Sequence, residues 1–321
     1  MTRSSATPSP QANEANETNE GTDFAEEVSL PCVLSFNASD PTGAGGITGD
    51  ALVIASVGAH AIPVVTGAYL RDTRDTVGHA ALDDAAILEQ ARLAAEDVPL
   101  QLIKVGFIGS AEAVAAIAAF TSDYSSVPVV AYMPDLSWWD AHEIDIYQDA
   151  FRELLLPQTA ILVGNNSTLR HWLLPESTTT RHASATDLAR AAAELGVSYV
   201  LVTGLALPDG QIGNVLASQQ EELCTHAFER IDASFMGAGD LLSAALAGLL
   251  ATGLDLGEAA TEALQYLDQA LDHGFHPGMG HALADRLFWA GSDAPDGPEP
   301  PTESGTPTIF DIPNPFNETK H

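Results

Sequence analysis

Between residues 33 and 204 short apolar runs alternate with stretches of helical period, and this alternation constrains the fold more than any other feature of the chain. VLSF (33–36), AIPVVTGAYL (61–70), LIKVGFIG (102–109), PVVAYM (128–133), TAILVGN (159–165) and SYVLVTG (198–204) read as strands. Helical periods at 49–58, 83–96, 111–120, within IYQDAFRELLL and at 185–196 fall between them, the last closed by Gly196. Apolar strands joined through helices predict a mostly parallel sheet covered on both faces. After Gly204 the rhythm changes. NVLAS (214–218) and CTHAFERI (224–231) read as paired strands, and helices are expected at 240–251, 257–272 and 280–289.

Residues 1–27 are polar and acidic, and 291–321 carry seven prolines. Such segments bury too little surface to offset ordering, so both are expected to be disordered tails around one domain at 28–290. The chain carries 12 basic against 44 acidic residues, a net charge of −32, with only two lysines, Lys104 and Lys320. That charge excludes nucleic acid and anionic membranes as expected partners. No apolar run approaches a membrane span, and the N-terminus lacks a signal-peptide core. Cys32 and Cys224 are far apart and read as reduced thiols of a cytoplasmic protein.

Two glycine-rich turns carry the chemistry. NASDPTGAGGITGD (37–50) lies between the first strand and first helix. It departs from G-x-G-x-x-G, since Thr48 follows Gly43 and Gly45 where the third glycine belongs, and it lacks the G-K-[ST] of a phosphate loop. A loop there is either a plain flexible βα connection or, Gly45 included, one that lets a small substrate approach the backbone at the carboxyl end of the strands. The second turn, Gly237-Ala238-Gly239-Asp240, opens an apolar helical pattern (Leu241, Leu242, Ala245, Leu246, Leu249, Leu250) that stops near Gly253. Small residues followed by free helix-start N–H groups make an anion hole. Asp240 either caps this helix or serves as the base that takes a hydroxyl proton during phosphoryl transfer, which needs little basicity when the transition state is loose.

With these turns the sequence resembles the ribokinase-like superfamily, whose late GxGD turn carries the catalytic Asp. SDPTGAGGITGD (39–50), VGAHAIPVVTG (57–67), KVGFIGS (104–110), LLP (155–157) and GAGDLLSAALAGLL (237–250) narrow the likeness to hydroxymethylpyrimidine/phosphomethylpyrimidine kinases, over roughly residues 31–289. The resemblance implies an α/β fold with a central, mostly parallel sheet, ATP and Mg2+ as cofactors, a small-molecule substrate and a homodimeric assembly. It gives Asp50 the aminopyrimidine contact and places Arg71 where the family has Gln. The usual D-P-V-M strand is AYMPD here, so its carboxylate is either absent or displaced to Asp135. The metal-associated N-x-x-E appears as Asn165-Asn166-Ser167-Thr168, without Glu. Thr203 before Gly204 stands where a nucleotide-side lysine is frequent. A pyridoxal-type kinase and a non-catalytic binding protein of the same fold are the alternative readings.

Of three further features, two allow two placements each and the third has one expected place. Lys104 either snorkels from a strand end or places charge near the phosphates. Trp138-Trp139 either cover the substrate mouth or pack in the core. His273 and His276 adjoin a loop, Gly278-Met279-Gly280, expected at the nucleotide end.

Overall fold

A computed structural model of the protein describes residues 30–174 and 183–291. The expected tails, apart from residue 291, lie outside the described residues. The central sheet has nine strands in the order β3-β2-β1-β4-β5-β6-β7-β8-β9. These are β1 (Cys32–Ser39), β2 (His60–Arg71), β3 (Thr76–Ala81), β4 (Leu102–Val105), β5 (Val129–Met133), β6 (Ile161–Asn165), β7 (Tyr199–Ala206), β8 (Ile212–Ser218) and β9 (Glu222–Phe228). From β2 to β7 every pairing is parallel, while β3, β8 and β9 add antiparallel edges. The expected α/β architecture and the paired strands after Gly204 are both present.

Helices α1 (Gly46–Ser56), α2 (Asp84–Asp97), α3 (Ala111–Asp123), α4 (Ala141–Ala150), α5 (Asn166–Leu173), α6 (Ala185–Glu194), α7 (Ala238–Ala251) and α8 (Leu256–Asp272) cover the two faces. One core layer joins α2 through α6 to side chains such as Leu34, Phe36, Ile103 and Val105. The other joins α1, α7 and α8 to Val33, Leu102, Val130, Val163 and Leu201. Consecutive strand residues point to opposite faces, so both layers draw on the same strands. Helix α7 is buried along its whole length from Asp240 to Leu249 rather than on one face, as befits a helix apolar all round. It ends where expected, with Gly253 left-handed at φ 96°.

Three local readings are corrected. Residues 280–289 do not form a helix. Ala282–Leu283 (β11) pair in parallel with Phe235–Met236 (β10), and only Phe288–Gly291 (α9) is helical. Here tertiary pairing overrides local propensity. The single helix expected through IYQDAFRELLL is α4 followed by one π turn and one 3-10 turn. Strand β3 and helix α5 had no sequence counterpart, because one is a short half-exposed edge and the other only eight residues long.

Candidate active site

The two glycine-rich turns meet. Loop 42–46 leaves β1 and lies against the start of α7, so a Cβ at Gly237 would collide with the carbonyl of Ala44, and one at Gly45 with the Asp240 carboxylate. Gly237 is left-handed, with φ 82°, and caps α7 without a side-chain hydrogen bond. The N–H groups of the first turn, including Ala238 and Gly239, therefore have no intrahelical acceptor and no side-chain acceptor among the described residues. Replacing Gly237 with Ala combines a left-handed non-glycine residue with a backbone collision. It should cost about 2 kcal/mol or more, read as a lowered Tm, together with weakened nucleotide binding in calorimetry.

Asp240 does not cap its own helix. Its Oδ1 accepts from Asn37 Nδ2 at 2.9 Å and Lys104 Nζ at 3.2 Å, and its Oδ2 from the Gly46 N–H at 3.2 Å. Asn37 is fixed in orientation because its Oδ1 accepts the N–H groups of Ala38 and Phe107 at 2.9 and 3.1 Å. The amide nitrogen must then face the carboxylates. Burial pushes the Asp240 pKa up, but Lys104, Asn37, Gly46 and Arg71 together outweigh it and hold the group below the ordinary carboxylate value.

Two cavities flank this point. One, of about 270 Å³, is lined by Tyr69, Arg71, Tyr132, Trp138, Phe235 and Asp240, among others. The second, of about 200 Å³, is lined by Asn165, Thr203, Gly237, Ala238 and Gly239 together with apolar neighbours. Tyr132, Phe235 and Gly237 belong to both. The first offers a planar ligand aromatic walls, a guanidinium and a carboxylate. The second offers backbone N–H groups to an anion. The two together suit a hydroxyl acceptor facing a phosphoryl donor.

Not every expected residue reaches these cavities. Thr203 does, but Gly204 sits behind it, packed on the Asn165 side chain. Gly45 supports the loop, its N–H donating to Asp40 Oδ2 at 2.8 Å. Arg71 lines the first cavity, donates to Asp40 through Nε and Nη2, and lies 4.2 Å over the Tyr69 ring.

Asp50 is a correction. It is 0 % exposed on the buried face of α1, and Ser35, Asn37 and Lys104 occupy its oxygens at 2.7–3.0 Å. A carboxylate with no exposed surface, absent from the lining of both cavities, does not meet a ligand amine there. Lys104 is another, since it is also 0 % exposed, does not snorkel and does not line the cavity at the α7 N-terminus. The 278–280 loop packs on Thr73 in the turn before β3, and His281 after it lines the first cavity, not the one at the α7 N-terminus. Trp138 lines that cavity, while Trp139 stacks behind it at 5.9 Å and packs against Tyr147.

Sequence reasoning missed Asn37, Tyr132 and Arg286. Arg286 is 7 % exposed, donates to the carbonyl of Ala44 and packs against Gly49. It braces the loop that covers Asp240. A signal for Asn37 existed, because Ser35, Asn37 and Lys104 put polar groups on the same face of strands β1 and β4, where apolar residues belong.

The sequence matches the family model described as phosphomethylpyrimidine kinase over residues 40–285. A relative named hydroxymethylpyrimidine/phosphomethylpyrimidine kinase, from Streptomyces coelicolor, is 28% identical over 82% of this chain and 96% of its own length. Among solved structures, an ADP complex of Bacillus subtilis pyridoxal kinase superposes with a TM-score of 0.70 at 20% identity, covering 82% of this chain and 99% of that one. Phosphomethylpyrimidine kinase from Clostridium difficile superposes with a TM-score of 0.61 at 20% identity, over 74% and 100%. These likenesses share one fold, and the match over residues 40–285 is more specific: the chain belongs to the phosphomethylpyrimidine kinase family.

Proposed function

We propose that the protein transfers a phosphoryl group from ATP to the hydroxymethyl group of 4-amino-5-hydroxymethyl-2-methylpyrimidine, and to the resulting monophosphate, in thiamin biosynthesis. The observation that carries this reading is the position of Asp240. It lines the aromatic acceptor cavity while the α7 N-terminus it belongs to lines the anion cavity. The acceptor hydroxyl lies on the Asp240 side and gives up its proton there. The free N–H groups of Ala238 and Gly239 hold the moving phosphoryl group. A carboxylate held below its ordinary pKa is a weak base, which is sufficient when bond breaking to the leaving group runs ahead of attack.

Mg2+ is compatible with these residues. It usually keeps several waters and binds one or two carboxylates plus substrate phosphates. Asp135, exposed at the acceptor cavity, is the carboxylate available to it there, since Asp240 Oδ1 already accepts two hydrogen bonds and the one open position, on Oδ2, serves the acceptor hydroxyl. Thr168, where the family's Glu would stand, supplies no charge. When bound with the nucleotide, the ion neutralises phosphate charge. Asp135 and the N–H groups of α7 are the parts this chain contributes.

A coupled assay of ADP release tests the reading with the aminopyrimidine alcohol, its monophosphate and pyridoxal as acceptors. Turnover of the first two supports it, and turnover of pyridoxal alone replaces it with the vitamin B6 reading. ADP release with none of the three points to a binding protein. In the same assay a 28–290 fragment should retain full activity, because both tails are too polar to contribute a core. An insoluble or inactive fragment would redraw the domain boundary. The assembly we propose is a homodimer, for which Leu70 and Val77 of the β2–β3 hairpin, 51 % and 81 % exposed, offer apolar surface. No helix among the described residues is long and apolar enough to cross a membrane.

A further inference from the structure

Lys104 is the one lysine among the described residues, and it lies in the middle of the sheet. Strand β4 pairs in parallel on both sides, and helices cover both faces. The lysine stem therefore has no route to water. Its ammonium donates to both oxygens of Asp50, at 2.7 and 2.8 Å, and to Asp240 Oδ1 at 3.2 Å. A buried ion pair is weak ground for stability, since desolvation takes back most of the attraction. An apolar side chain at this position would fill the layer without that cost. The two carboxylates also differ. Asp50 faces only protein groups, whereas Asp240 touches Lys104 on one side and the acceptor cavity on the other.

We propose that Lys104 is a positioning residue that holds the Asp240 carboxylate ionised and oriented toward the acceptor, with Asp50 as its counter-charge. The proposal rests on reading Asp240 as the base. Lys104 itself touches neither acceptor nor nucleotide. Its ammonium is divided among three carboxylate oxygens, and the two on Asp50 are the nearer. The charge therefore favours an ionised Asp240 without closing on it as an exclusive pair.

The other groups facing Asp240 leave Lys104 as the chief source of this effect. Asn37 from β1 and the Gly46 N–H from α1 are neutral donors. Arg71 from β2 is bound to Asp40, which offsets its charge. Tyr69 from β2 and Tyr132 from β5 have pKa values raised by burial, and stay neutral. Asp50 from α1 opposes ionisation of Asp240. Arg286, beyond β11, acts in the same direction as Lys104 but hydrogen-bonds to Ala44 instead of to the carboxylate.

Carbon-13 NMR titration of the Asp240 carboxyl carbon in the nucleotide-free protein, assigned with Asp240→Asn, provides the test. Lys104→Met alone leaves two buried carboxylates facing each other and can fail to fold. The charge-balanced double variant Lys104→Met/Asp50→Asn avoids this. The Asp240 midpoint should rise by roughly 1–3 pH units in the double variant, the usual effect of losing a close opposite charge. The acid limb of kcat/KM for the alcohol should rise with it. A limb common to wild type and every variant belongs to the nucleotide. Asp50→Asn alone removes a repulsion and keeps the attraction, so its midpoint should stay or fall.

A lower kcat with an unmoved Asp240 midpoint in the double variant would reduce Lys104 to a structural residue and overturn the proposal. So would an equal rise in Asp50→Asn alone. If the wild type phosphorylates no acceptor, the kinase reading fails by itself, because the titration decides the Lys104–Asp240 linkage without turnover.

Discussion

Asp240→Asn should retain the fold and lower kcat for the hydroxymethyl acceptor by about 10² or more, the range for a positioned base. The substitution is nearly isosteric, and a correctly turned amide oxygen still accepts from Asn37 or Gly46. Lys104 keeps Asp50 as partner at 2.7 Å, so no lone charge is left buried. What disappears is the acceptor for the hydroxyl proton. The monophosphate acceptor should behave differently. Its attacking oxygen belongs to a phosphate whose second pKa lies near 6, so it is mostly deprotonated at pH 7. It has no need of a base. Steady-state assays with both acceptors should therefore show a large loss for the alcohol and a much smaller one for the monophosphate. Near-wild-type turnover of the alcohol would remove Asp240 from the base role. Equal losses for the two acceptors would point instead to a general collapse of the site.

The sheet and the late turn were legible in the sequence because each leaves a local trace. Central parallel strands are apolar runs, and GAGD before an apolar helix is a recognisable start of α7. The relations that make a site from them are not local. Asn37 and Asp240 are hydrogen-bonded across 203 positions of sequence, and no window contains both. The resemblance gives Asp50 a ligand contact, but the helical period puts it on the buried face with Gly46, Ile47, Val53 and Ile54. Lys104 was misplaced as well. Placed at a strand end, it had solvent within reach. It is the third of four residues, between Ile103 and Val105, both 0 % exposed. A central parallel strand is covered on both faces, so that position already excluded snorkelling.

The acceptor cavity offers an expectation of its own, which concerns Arg71. Wild-type protein should bind the phosphomethylpyrimidine roughly tenfold to a hundredfold more tightly than the alcohol, and Arg71→Gln should lose that preference. The guanidinium uses Nε and Nη2 on Asp40, and its Nη1 makes no hydrogen bond among the described residues. Stacking on Tyr69 and the fork to Asp40 fix its plane. Asp40 is itself fixed, since its carboxylate accepts the N–H groups of Thr42 and Gly45 at 3.0 and 2.8 Å. The Arg71–Asp40 pair is neutral as a whole, so a long-range pull on an anion is weak, but a directed donor remains. Hydrogen bonds to charged groups contribute about 1.5–3 kcal/mol, which converts to the range given. Glutamine can donate and accept, and so serves the alcohol and the phosphate more evenly. Arg71→Lys separates charge from geometry, because a lysine keeps the charge and loses the fork. Calorimetry with each ligand, in the presence of a non-hydrolysable ATP analogue, reads all three proteins. A preference retained in Arg71→Gln would place phosphate recognition elsewhere, with His281 the next cavity residue to substitute. Undetectable binding of both pyrimidines alongside measurable binding of pyridoxal would mean that the aromatic walls, Tyr69, Trp138 and Phe235, hold a pyridine ring instead.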